Sequence, residues 1–209
     1  MKNTIISPDL LEKAFAYEDY VHFMDELLAQ GKTTGDNQSE EMVHYTRMNR
    51  RRMERIHQIG KIEDELRQLL HSVRDKWYWV VLTEPWCGDA AQNVPFFYLM
   101  TKENPRIELR LLLRDEHPEV MDHYLTNGGR AIPKLICIRK SDWEEMGTWG
   151  PRPQPAQEMV TAYKANPTSD FWQFAERLHK WYADDKGAHL QAEMKRLITA
   201  WAQGTPASL

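Results

Sequence analysis

A chain of 209 residues with 42% hydrophobic and 28% charged side chains has the composition of a folded globular protein, which excludes wholesale disorder and collagen-like repetition. By size scaling it exposes roughly 10,000 Å² folded against roughly 36,000 Å² unfolded, so it can bury a full core without disulfide staples. With 27 basic and 31 acidic residues the formal charge is −4, so no whole-protein field holds a polyanion and nucleic acid is not expected as a partner.

Residues 1–8 carry no apolar core of signal-peptide length, and no window reaches the 18 or so apolar residues of a membrane span, so a cytoplasmic protein without a membrane partner is expected. From residue 7 to residue 30 the apolar positions Leu10, Ala14, Tyr17, Val21, Met24 and Leu28 alternate steps of four and three, which predicts one helix with Ser7 and Pro8 at its start. Residues 31–39, rich in Gly, Thr, Asp, Asn and Ser, read as a loop. Beyond it the chain turns helical again, with Ile56, Ile59, Ile62, Leu66, Leu69 and Val73 at helical spacing and Gly60 as a break. Arg47, Arg50, Arg51, Arg52 and Arg55 fall in this region among methionines and acids and read as a solvated helix face.

At Trp77 the pattern changes. Trp77-Tyr78-Trp79-Val80-Val81-Leu82 is short, aromatic and β-branched, apolar on both faces like a buried central strand. Residues 107–113 and 135–138 have the same character. Helix is expected over 90–102 and 118–126, and a hairpin through Ser141-Asp142 to residues 146–149, so the middle of the chain reads as a mixed α/β sheet. Helices then resume, one face marked by Phe171, Phe174, Leu178 and Trp181, another by Leu190, Met194, Leu197 and Trp201, with breaks at Pro167 and Gly187.

The segment Glu84-Pro85-Trp86-Cys87-Gly88-Asp89-Ala90 falls where the first buried strand ends and a helix begins. Unpaired N–H groups and the helix dipole favour an anion there, which lowers a thiol's pKa from its ordinary value of about 8.5. Asp89 and Glu84 oppose that effect. Cys137, inside Leu135-Ile136-Cys137-Ile138, reads as inert core.

At these residues the chain resembles the thioredoxin superfamily. Trp86-Cys87-Gly88 matches the start of its Trp-Cys-Gly-Pro-Cys motif, Pro95 its helix proline, Ala131-Ile132-Pro133-Lys134-Leu135 its cis-proline segment, and Gly150 a family glycine. The resemblance implies a thioredoxin-like α/β fold, with a helical N-terminal extension over 1–75, the core over 76–165 and C-terminal helices over 166–209. It is similar to a bacterial thioredoxin-like subgroup with Cys-Gly-Asp-Ala in place of Cys-Gly-Pro-Cys. Ala90 replaces the second cysteine and Val81 the buried acid of thioredoxins, so no two-cysteine cycle operates within the motif.

For activity, the resemblance implies thiol–disulfide exchange of the monothiol type through Cys87, completed by an external thiol, with a protein or low-molecular-weight thiol as partner. The alternative is a redox-inactive module that recognises a peptide or protein at the same groove through Trp86 and Trp149. Either reading places Trp86, Gly88, Asp89, Ile132 and Pro133 around the ligand. The resemblance implies a cis Pro133 facing Cys87, with the Ile132 backbone able to pair with an extended ligand. Trp86 contacts a partner or packs; Asp89 serves as acid or base, or caps the helix. No histidine pair stands at helical spacing and neither cysteine has a nearby ligand, so no metal and no cofactor is expected. Apolar stripes on the terminal helices can face the core or a second subunit.

Overall fold

The computed structural model describes residues 2–167 and 170–209. Strands β1 (Trp77–Thr83), β2 (Ile107–Leu113), β3 (Lys134–Arg139) and β4 (Glu144–Trp149) form one mixed sheet in the order β2-β1-β3-β4. β1 runs parallel to β2, Trp77 opposite Ile107, and antiparallel to β3, Val81 opposite Leu135. A parallel pair needs a crossover, and helix α5 (Gly88–Glu103) supplies it. β1 is apolar on both faces because it is central. Trp77 and Trp79 are fully buried, edge-on to Trp201 of the C-terminal helix α9 (Ala188–Ala202) at 6.1 and 6.5 Å, and Trp79 also meets Phe97 of α5 at 6.3 Å.

The single helix expected over 7–30 is two, α1 (Pro8–Lys13) and α2 (Tyr17–Ala29). Between them Phe15 is extended and exchanges two hydrogen bonds with Leu111, each 2.9 Å, on the outer edge of β2. An edge strand offers unpaired N–H and C=O groups, and that tertiary pairing overrides the local helical period. Helix α3 (Glu40–Ile59) ends at Gly60, and α4 (Asp64–Ser72) comes next. Ile59, expected on the buried stripe, is 62% exposed, because two successive three-residue steps from Met53 carry it off the packed face. The helix expected over 118–126 is the short α6 (Pro118–Met121). Asn127 and Gly128, with φ of 50° and 76°, turn the chain back on itself so that Thr126 bridges Gly129.

Helices α7 (Gln154–Ala165) and α8 (Phe171–Asp185) enclose a small core of their own, Ala156, Val160, Phe174, Leu178 and Tyr182. The chain ends extended along the outer edge of β4, where Ala207 N–H donates to Met146 O at 2.8 Å and Leu209 N–H to Thr148 O at 2.9 Å. Gly147 is required beneath it, since a Cβ there would lie 1.7 Å from Ala207 O at a φ of +140°. Among the described residues no helix is long and apolar enough to cross a membrane.

Candidate functional site

Cys87 is the N-cap residue of α5, and its Sγ accepts from Ala90 N–H at 3.4 Å. The same sulfur donates to the carbonyl of Ile132 at 3.4 Å, across the gap between the motif turn and the loop before β3. The Ile132–Pro133 peptide is cis. Cys87 is 8% exposed, and burial, together with the smaller effect of the Asp89 charge, pushes its thiol up to about 12. The helix N–H groups and Arg152 act the other way and are outweighed. Cys137 is fully buried in β3, and burial likewise raises its thiol.

Asp89 does not cap the helix. Its Oδ1 accepts the Tyr182 hydroxyl at 2.8 Å, and its Oδ2 lies 2.6 Å from Arg152 Nη2. Asn93 completes this cluster, donating to Asp89 O at 2.8 Å and to the Tyr182 oxygen at 3.3 Å. The carboxylate is drawn away from its own helix because a nearly buried guanidinium needs a counter-charge.

Glu84 is also turned away from the thiol. It is buried, accepts from the Thr34 hydroxyl and, at 2.8 Å, from Asp115 N–H, and burial raises it from 4.5 to about 6. Asn49, inside the arginine-rich stretch of α3, is fully buried and donates to Pro85 O at 3.0 Å, so this helix braces the motif rather than presenting only a solvated face.

Trp86 lies under the Arg114 guanidinium, 4.8 Å from its ring centre. Together with Cys87, Gly88, Asp89, Arg114 and Ile132 it lines a groove of about 980 Å³, walled on the far side by Val160, Phe174 and Leu178 and on another by Tyr45. Gly88 abuts α8 as well: a Cβ there would lie 2.7 Å from the His179 ring. Tyr45 stacks on the half-exposed Trp172 at 5.3 Å. Trp149, expected in the groove, is fully buried beneath the sheet and donates to Glu193 at 2.6 Å.

Arg152, Tyr182, Asn93 and Asn49 are the site residues that sequence reasoning missed. Only Arg152 left a signal, as the cation in the Gly150-Pro151-Arg152-Pro153 segment after the hairpin. Among the described residues no group of three or more His, Cys, Asp or Glu side chains is placed to hold a metal ion.

A thioredoxin family model matches residues 35–164, more than half of the chain. Among solved structures, a Pseudomonas aeruginosa protein of unknown function, PA1234, superimposes with a TM-score of 0.61 at 16% identity, covering 93% of this chain and 98% of its own. An HIV epitope scaffold superimposes with a TM-score of 0.53 at 16% identity, covering 89% and 99%. No curated protein matches. At such identities the structural likeness concerns the fold alone.

Proposed function

Because the chain belongs to the thioredoxin family, we propose that it serves as a recognition module of that fold, binding an extended peptide or protein segment in the groove between the Cys87 turn, Ile132 and α7–α8. The observation that carries this reading is the burial of the thiol against the Ile132 carbonyl. A sulfur 8% exposed and hydrogen-bonded to Ile132 O, its thiol pushed up by burial, is held as the neutral thiol, whereas the thiolate is the species that attacks disulfides. The groove itself is large, walled by aromatic and aliphatic side chains, and rimmed by Arg114 and Arg130. Those features suit an extended, largely apolar segment.

One observation favours the second reading, monothiol exchange. Ala90 N–H and Arg152 both act to lower the Cys87 thiol, so a ligand that drew Asp89 off Arg152 would strengthen that influence. In that reading the Cys87 thiolate attacks a partner's disulfide, a mixed disulfide forms as one partner thiolate leaves, and an external thiolate then attacks the mixed disulfide and returns Cys87.

Two measurements separate the readings. Native protein incubated with glutathione disulfide at neutral pH is expected to gain no glutathionyl group on Cys87 over hours; a Cys87 adduct formed as fast as on a free cysteine peptide overturns the binding reading. Peptides selected from a random display library are expected to bind Cys87→Ser as well as the parent and to lose affinity for Thr161→Trp, at an exposed position that lines the groove. Peptides that all carry cysteine and fail on Cys87→Ser would establish exchange instead.

A further inference from the structure

His179 lines the Cys87 groove and also a second cavity of about 530 Å³ between α3, α5 and the α8–α9 turn. That volume is typical of a small-molecule site. Its floor is apolar, made by Phe96 and Leu190, both buried. Four cations line it: Arg52, Arg55, Lys61 and Lys186. The one carboxylate there, Asp185, is engaged by His189. Among the described residues, none of the four cations has a carboxylate within ion-pair distance, whereas Arg50, Arg67, Arg114, Arg130, Arg139 and Arg152 each sit on one. Arg52 is half-buried and its side chain reaches only a neutral partner, Asn49 Oδ1, at 2.8 Å.

We infer that this cavity binds a small organic anion, its carboxylate or phosphate head on Arg52 and Arg55 and its apolar body on Phe96 and Leu190. A guanidinium presents a planar fork of donors that matches both head groups, and a counter-charge from the ligand offsets what burial costs Arg52. Burial indeed pulls the Arg52 pKa down, the direction expected of a cation lacking an anion. His179, held down to about 4 by burial and by Arg52, stays neutral at pH 7 and adds no fifth charge. The apolar floor discriminates against inorganic phosphate and sulfate, which have nothing to bury. This site is separate from the reading of Cys87 and does not depend on it.

Titration calorimetry of the full chain with phenylbutyrate and with phenyl phosphate tests the inference, with phenylbutanol as the neutral control and inorganic phosphate as the control without an apolar body. At least one anion is expected to bind at one site about tenfold or more tighter than either control, and Arg52→Gln to weaken it about tenfold, equivalent to about 1.4 kcal/mol. The tighter of the two anions identifies the preferred head. Amide shifts of Gly60 and Gly187, which line this cavity, are expected to move on binding. Binding of phenylbutanol as tight as that of the anions, an Arg52→Gln protein that binds unchanged, or shifts confined to Gly129 in the Cys87 groove would each overturn it, as would no binding of either anion at millimolar concentration. Should Arg52→Gln melt early, Arg55→Gln and Lys186→Gln, at exposed positions, are each expected to weaken binding about threefold, and no change in both overturns the inference.

Discussion

Asp89 stands between a cysteine and an arginine and influences both. Its charge raises the Cys87 thiol, and its Oδ2 holds Arg152, whose side chain is 18% exposed, at 2.6 Å. Asp89→Asn therefore has two opposite consequences. Alkylation of Cys87 at a fixed pH is expected to quicken, because one raising influence disappears while Arg152 remains. Stability is expected to fall by about 3 kcal/mol, because a mostly buried guanidinium loses its counter-charge. Alkylation rates across pH and urea melts of the variant check both; unchanged alkylation would mean that burial alone sets the thiol. The contest between helix terminus and carboxylates at Cys87 is legible in the sequence. Burial, the largest influence, is not, because the closing partner Ile132 is 45 positions away. The placement of Asp89 is hidden for the same reason: it does not cap its own helix, and its partners, Arg152 and Tyr182, lie far along the chain.

At the scale of elements, the sheet is closed on both sides by segments that are not strands of it. Phe15 covers part of the β2 edge, and the C-terminal residues cover β4, with Trp201 Nε1 donating to Ala207 O at 3.0 Å. Deleting residues 206–209 uncovers the β4 edge and leaves the indole N–H of a buried tryptophan without its acceptor. The expected result is a loss of about 2–3 kcal/mol and concentration-dependent self-association, since an exposed edge templates pairing and an unmade buried hydrogen bond costs about 1–3 kcal/mol. Melts and light scattering of the truncated chain check this; a monomer with unchanged stability would mean that the tail only rests on the edge. Glu193 in α9 ties elements in a similar way, accepting from Trp149 Nε1 at 2.6 Å and from Gln154 N–H at 2.8 Å. Glu193→Ala is expected to cost about 2 kcal/mol in a urea melt, because the buried Trp149 indole N–H loses its acceptor and the Gln154 N–H loses its partner as well. Strand positions were legible because a two-faced apolar run such as residues 77–82 admits little else. The break at Phe15 was not, because an edge strand from another part of the chain decides it.

At the scale of the whole molecule, Glu84 links three distant segments, the loop at Thr34, the end of β1 and the turn at Asp115. Its carboxyl is raised from 4.5 to about 6, with burial the main cause, so the folded state binds this proton more tightly than the unfolded chain does. The associated stability is fully present below about 4.5 and is lost as pH rises through about 6, a change of about 2 kcal/mol at most. Glu84→Gln is expected to remove that slope between pH 7 and pH 4.5 and to gain stability at neutral pH. Urea melts of parent and variant over this range check it, and parallel slopes would show that the group is not responsible.

The sequence by itself determined where the buried strands fall and that the motif holds no second cysteine, because β-branched runs and residue identities are local properties, and its motif residues carry the resemblance to the thioredoxin family. Only the tertiary structure decided the burial of Cys87, the turning of Asp89 onto Arg152, the burial of Trp149 and the existence of a cation-lined cavity beside α3. Each of those depends on which residues tens of positions apart come within a few ångströms, and on how much water remains between them. No local pattern carries that information.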